Sequence, residues 1–389
     1  MQRPARVLVV IGTRPEAIKM APVVRALRAE APAAECRVAL TGQHTTLVDQ
    51  VLEAFALEPE YDVGTPDYDL GIMREGQTLY DVLHAGLDGL REVVASYRPE
   101  LMLVQGDTAT VFTASLVGFI ERVRVGHVEA GLRSGDKWAP FPEEMFRRLT
   151  DVIADDHFVP TAHAAANLVR EGVPSERIHV TGNTVVDAVL VAAERPHEVS
   201  DPALRAVLAD PSARLVLLTA HRRESFGAPL RGVFGAVREV VDRTPDVHVV
   251  YPVHPNPAVR QPAREILSGH PRIHLVEPLG YLDMIAAMKG AALILTDSGG
   301  IQEEAPTLGA PVLVLRAVTE RAEGTLEGVQ EVVGVDPARI VERGLAVLAA
   351  GVPGPRANPY GDGRAGERIA DIVVSGLTGR PRRTQDWNG

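Results

Sequence analysis

The feature that most constrains this chain is an alternation that occurs twice. Short runs rich in Val, Ile and Leu recur at 7–11, 38–40, 101–104, 123–128, 157–159 and 178–180, then again at 215–218, 247–251, 273–276, 293–295 and 312–315. Between them lie stretches with helical spacing, such as 23–29, 80–94, 145–153, 230–241 and 284–288. A parallel strand buried on both faces reads as a continuous apolar run, and its neighbour is reached through a crossover, usually a helix. The pattern predicts βαβ units and parallel sheets, an α/β protein. The two series are separated by GNTVVDAVLVAAERPHEVSDP at 182–202, a helix followed by a polar, proline-containing stretch. A chain of 389 residues, at about 100–200 residues per domain, predicts two domains that meet there. A last helical stretch, 368–377, is compatible with packing on either one.

Composition narrows the function. A formal net charge of -11 leaves no excess of Lys and Arg to neutralise a phosphate backbone, so a nucleic-acid partner is not expected. The one cysteine, Cys36, permits no internal disulfide and no cysteine-based zinc site. The apolar run before Gly12 is too short for a signal-peptide centre, and no stretch reaches the roughly 18 apolar residues of a membrane helix. The expectation is a cytoplasmic protein with no membrane partner. No G-x-G-x-x-G follows the first strand and no Walker sequence occurs, which argues against the common nicotinamide and nucleoside-triphosphate enzymes. No metal is expected either, since the HVE and HRRE stretches lack metal-ligand spacing.

Ligands of open parallel sheets bind beyond the carboxyl ends of the strands. Those positions hold Arg14 and Lys19 after the first strand, Asp107 in QGDT, and Glu129 after His127. In the second half they hold His221 and Arg222 in TAHRRES, His254 in YPVHPNP, and the turn Ser298-Gly299-Gly300 in LTDSGGIQEEAPTLG. Asp107, Glu129 and Glu143 of PFPEEM are candidates for an acid–base set, because gathered carboxylates raise one another's pKa. Separate ion pairs to Arg133, Arg147 or Arg148 are the plainer alternative. His127 and His157 read as structural histidines. The Gly-Gly turn ahead of a helix suits a phosphate, with Ser298 as N-cap or phosphate contact. Glu303 and Glu304 favour a helix start through the dipole; Glu304 is also placed to accept from a ribose diol.

The segments GTRPEAIKMAPV, TGQH, QGDT, GHVEAGLRSGD, PFPEEM, TGNTVVDA, TAHRRESFG, YPVHPNP, TDSGGIQEEAP, TER and NPYGDG, in this order over nearly the whole chain, resemble the bacterial non-hydrolysing UDP-N-acetylglucosamine 2-epimerases. The resemblance implies a GT-B-like fold, two Rossmann-like domains whose parallel sheets face a central cleft. The first domain would be 1–183 with the C-terminal helix within 366–389, the second 184–365. It implies interconversion of UDP-GlcNAc and UDP-ManNAc without a cofactor, through 2-acetamidoglucal and bound UDP, in a homodimer. Asp107, Glu129 and Glu143 then form the acid–base set and His221 assists the leaving UDP. Arg14, Lys19, Arg222, His254, Ser298, Gly299, Gly300, Glu304 and Arg321 become UDP-sugar contacts. Gln43 and His44 match part of a second, activating UDP-GlcNAc site.

The chain departs from the pattern at several positions. Phe146 and Ala322 stand where many relatives have Asn and Pro, and Thr46 and Gly76 stand where a Gln and an Arg contact the activator. Activation by substrate is therefore in question for this chain. The alternatives are a hydrolysing epimerase releasing UDP and ManNAc, an epimerase of a related UDP-sugar, a GT-B glycosyltransferase and a silent UDP-sugar sensor. The carboxylates of the first half speak against the last two.

Overall fold

The computed structural model describes residues 3–42, 66–74, 76–319, 321–351 and 357–388. It divides into two compact units, one of Met1–Ala188 with Tyr360–Gly389, the other of Val189–Pro359. The division falls inside the helix Thr184–Glu194.

The first unit holds β1 (Ala5–Ile11), β2 (Ala34–Leu40), β3 (Tyr68–Asp69), β4 (Leu101–Gln105), β5 (Arg124–Val128), β6 (Asp156–Val159) and β7 (Ile178–Val180). They form one sheet in the order β3-β2-β1-β4-β5-β6-β7, with every pairing parallel. Threonine starts most of its helices. Thr13, Thr78, Thr108 and Thr161 cap the helices Arg14–Ala29, Leu79–Tyr97, Ala109–Ile120 and Ala162–Arg170, each accepting from an N–H three residues on. Leu8, Val10, Met102 and Val104 bury one face of the sheet against Leu90, Val94, Val111 and Ala114.

The chain returns to this unit as the helix Ala365–Thr378, packed on Arg14–Ala29. Its first N–H groups, of Ala365 and Gly366, donate to buried Asp187 at 3.1 and 2.8 Å. Burial pushes the Asp187 carboxyl up to about 6 despite those bonds.

The second unit holds β8 (Arg214–Thr219), β9 (Val247–Pro252), β10 (Ile273–Val276), β11 (Ala291–Thr296), β12 (Val312–Val314) and β13 (Gln330–Val332). Its sheet is also fully parallel, in the order β10-β9-β8-β11-β12-β13. Its core gathers Phe234, Tyr251, Leu218, Leu295 and Ile340.

All eleven apolar runs of the sequence are strands. β3 and β13 were not visible as such: β3 is two residues long, and β13 is Gln-Glu-Val with only Gln330 buried. In both sheets the strand order reverses once, at β1/β4 and at β8/β11. Those two reversals are where an open α/β sheet leaves a crevice beyond its strand ends.

Candidate active site

Each reversal is spanned by one buried acid, and neither acid stood out in the sequence. In the first unit it is Glu16. Its carboxylate accepts from Gly12 N–H at 2.6 Å, Thr13 Oγ1 at 3.0 Å and Thr108 Oγ1 at 2.7 Å, tying the loop after β1 to the loop after β4. Burial outweighs these donors and raises the Glu16 pKa to about 7, with Asp107 adding a small push the same way. The signal was present in GTRPE, but an acid in the first turn of a helix has an ordinary dipole explanation.

Asp107 follows Gly106, whose φ is +85°. Arg147, on the helix Glu143–Ile153, holds its carboxylate through both Nη2 and Nε, the latter at 3.1 Å. The same guanidinium reaches buried Glu144 at 3.1 Å. Glu129 directly follows β5 with φ +66°, an uncommon conformation for a residue with a side chain. Lys19 Nζ and Gln105 Nε2 donate to its Oε2 at 2.6 and 2.5 Å. Glu143 opens its helix half-buried and, among the described residues, has no hydrogen-bond or ion-pair partner. Asp107 and Glu129 each have a cationic partner, Arg147 and Lys19, and among the acids beyond the ends of β1, β4 and β5 it is Glu16 whose pKa burial markedly raises. Arg14 is half-buried as the first residue of its helix.

His127 supports this side from beneath. Its Nδ1 meets Asp151 Oδ1 at 2.6 Å and its Nε2 meets the Gly106 carbonyl at 2.8 Å. Asp151 also takes Arg133 at 2.8 Å and Gly131 N–H at 3.3 Å. His157 likewise bonds two main-chain carbonyls, of Asp151 and Arg177, at 2.8 and 3.3 Å. Both histidines are structural. Phe146 is buried and stacks on Phe112 with centroids 5.2 Å apart, so a polar residue there would lose a packed aromatic partner.

In the second unit the spanning acid is Asp297, 1% exposed. Its Oδ2 accepts from the N–H groups of His221 and Arg222 at 2.6 and 2.8 Å, and its own N–H donates to Thr219. Arg222 Nε donates back to the Asp297 carbonyl at 3.3 Å. Asp297 directly follows β11, and the strand-end rule points to it as readily as to Ser298. The His221 ring lies parallel to that of exposed His254, centroids 5.5 Å apart and planes 6° apart. Burial lowers the His221 pKa, Asp297 opposes this, and Arg222 and His254 lower it further.

Ser298 occupies the N-cap of Gly299–Glu304 but its hydroxyl makes no capping bond, so it does not block the first-turn N–H groups of Gly299 and Gly300. Arg321 packs under this turn: a Cβ on Gly299 would lie 2.8 Å from its Cζ. Arg321 Nε donates to buried Glu303 at 3.0 Å. The pair of glutamates is thus divided. Glu303 faces inward to Arg321, while Glu304 is half-buried. Gln43, His44 and Thr46 lie outside the described residues, and Gly76 is an exposed turn residue with φ +78°. Among the described residues no group of three or more His, Cys, Asp or Glu side chains is arranged to hold a metal ion, and no helix is long and apolar enough to cross a membrane.

The family profile described as UDP-N-acetylglucosamine 2-epimerase matches residues 25–374. A UDP-N-acetylglucosamine 2-epimerase of Yersinia pestis is 48% identical over 374 residues, 94% of this chain and 97% of that one. The crystal structure of the UDP-GlcNAc 2-epimerase from Neisseria meningitidis bound to UDP-GlcNAc superposes with a TM-score of 0.85 at 38% identity, covering 95% of this chain and 100% of the other. That of the Methanocaldococcus jannaschii enzyme in complex with UDP-GlcNAc and UDP gives 0.77 at 33% identity, covering 95% and 99%. The fold is GT-B-like, and by sequence and by structure the chain belongs to the UDP-N-acetylglucosamine 2-epimerase family.

Proposed function

We propose that the chain interconverts UDP-N-acetylglucosamine and UDP-N-acetylmannosamine by reversible elimination. A carboxylate takes the C2 proton, the C1–O bond breaks, and its electron pair leaves with UDP, giving 2-acetamidoglucal. C2 is then protonated on the opposite face and UDP adds back at C1. Protons leave and return and no electrons are exchanged with a second reagent, so no redox cofactor is required.

The observation that carries this reading is Glu129. A residue with a side chain is held at φ +66° at a strand end, with its carboxylate gripped by Lys19 and Gln105. Backbone strain of this kind is found where a side chain must be aimed. Asp107 lies two residues beyond the neighbouring strand β4, and Arg147 fixes its carboxylate while leaving that side chain 30% exposed. Two aimed carboxylates with Glu143 supply what proton transfer on two faces of a carbon needs. The other half of the chemistry is anionic. The Ser298-Gly299-Gly300 turn, Arg222, His254 and Arg321 supply the cationic and N–H groups for UDP, Arg14 and Lys19 add cations, and Glu304 suits the ribose. His221 is assigned to the leaving diphosphate. A cytoplasmic homodimer belongs to the same proposal, and sedimentation velocity checks the assembly.

The test is product identity together with one variant. Wild-type protein and UDP-GlcNAc should yield UDP-ManNAc, and Asp107→Asn should lose turnover while still binding UDP in calorimetry. Free ManNAc with stoichiometric UDP would replace this reading with the hydrolysing one. Turnover surviving in Asp107→Asn would remove Asp107 from the proton-transfer set.

A further inference from the structure

Asp297 holds more than a loop. Its Oδ2 is fully engaged by the two main-chain N–H groups of His221 and Arg222. Its Oδ1 is buried, makes no hydrogen bond, and faces His221 Nδ1 at 3.4 Å. An acceptor-only carboxylate oxygen left over in a closed site needs a donor, because an unsatisfied buried polar atom is costly. His221 Nδ1 is the ion-pair partner this oxygen has among the described residues, and a small turn of the ring that aims Nδ1–H at it completes the bond. Catalytic hydrogen bonds are often long before ligand arrives.

We propose that Asp297 is a positioning residue that locks His221 with its proton on Nδ1, so that Nε2 is the nitrogen presented to the leaving diphosphate. The proposal rests on the assignment of His221 to UDP made above. With Nδ1–H committed to Asp297, Nε2 carries a lone pair in the free protein, in keeping with the neutral ring that burial, Arg222 and His254 favour. A bound diphosphate brings negative charge to the same ring and reverses that balance. Nε2 then takes one proton from solvent, and the imidazolium lies between two anions, Asp297 on Nδ1 and the phosphate on Nε2. As the C1–O bond breaks, its electron pair stays on the phosphate oxygen, and Nε2–H donates a hydrogen bond to that oxygen. Re-addition of UDP reverses the step, so no proton is consumed. The other charged groups around the ring, Arg222 and His254, are cationic or neutral and cannot replace the carboxylate on Nδ1.

Asp297→Asn separates this role from loop-holding. The Asn carbonyl accepts the same two main-chain N–H groups, so the loop keeps its bonds. Its NH2 then faces Nδ1 and donates to it, which moves the ring proton to Nε2. Without the carboxylate on Nδ1 the ring no longer becomes the imidazolium, so the expected result is a kcat loss of about a hundredfold or more with a clearly smaller loss of UDP affinity, about tenfold or less. Nitrogen-15 NMR of histidine-labelled protein, with the His221 signals assigned by their absence in His221→Gln, reads the tautomer directly. Wild type should show protonated Nδ1, and Asp297→Asn protonated Nε2.

A wild-type His221 protonated on Nε2 alone overturns the proposal and needs no variant to fold. So does an Asp297→Asn enzyme that keeps its kcat, or one that loses UDP affinity in step with kcat, which is what a purely structural role gives. If wild type forms no UDP-ManNAc at all, the proposed reaction fails, while the tautomer measurement still decides the role of Asp297.

Discussion

Replacing Asp151 by Asn should weaken the first unit by an amount that depends on pH. Asp151 is 3% exposed and meets His127 at 2.6 Å and Arg133 at 2.8 Å. Burial alone would raise its pKa, but these partners, His127 first, hold it down from 3.8 to about 2. At about 1.4 kcal/mol per pH unit, that lowering is worth about 2–3 kcal/mol at neutral pH. The sign follows from which state binds the proton. A depressed folded pKa means the contribution is complete above the unfolded value near 4 and disappears as pH falls through about 2. Asn cannot ionise, so the stability gap between wild type and variant should be flat from pH 7 to about 5 and shrink below about 4. Both tryptophans, Trp138 and Trp387, lie in the first unit, so tryptophan fluorescence in urea reports its unfolding without interference from the second. Because His127 also holds the Gly106 carbonyl at 2.8 Å, the variant should lose turnover as well, through the adjacent Asp107. A gap below about 1 kcal/mol at pH 7, or one that does not close toward acid pH, would refute the reasoning that this network is an ionic one.

Three further outcomes are expected. Glu16→Gln should gain on wild type as pH rises: burial lifts the folded Glu16 pKa from 4.5 to about 7, so wild type loses about 3 kcal/mol across that window while Gln does not titrate, and a pH-independent difference between the two urea midpoints would contradict this. Gly366→Ala should destabilise the first unit by about 1–3 kcal/mol, because a Cβ there would sit 2.7 Å from the Pro22 carbonyl oxygen of the packed helix; an unchanged Tm would show that the two helices separate at little cost. If the resemblance to the family holds at the activator positions, UDP-ManNAc turnover should proceed without added UDP-GlcNAc, since Thr46 and Gly76 stand where it implies a Gln and an Arg; a progress curve with a lag that a trace of UDP-GlcNAc abolishes would show that activation persists.

Strand positions were legible because a strand buried on both faces has one sequence signature, a continuous apolar run, and the candidate polar residues lie next to those runs. Asp107, Glu129, His221 and Ser298 became candidates for that reason. β13 escaped because an edge strand of Gln-Glu-Val lacks the run. What each side chain touches was not legible. Asp107 meets Arg147 forty positions away and Glu129 meets Lys19 across 110 positions, pairings made by crossovers that bring distant helices to the same strand ends. Arg133 and Arg148 were equally available partners in the sequence. Arg133 in fact goes to Asp151 and Glu171. Glu16 and Asp297 were passed over because each has a bland local reading, a helix-start acid and a turn residue. Only the strand order shows that each bridges a reversal of its sheet.

In the proposed reaction C2 loses its proton while the sugar is detached from UDP. Proton NMR of UDP-GlcNAc incubated with the protein in deuterated buffer tests it most directly. The expected product is UDP-ManNAc with deuterium at C2, with deuterium also at C2 of the remaining UDP-GlcNAc as equilibrium is approached. UDP-ManNAc that keeps its original C2 hydrogen would contradict it.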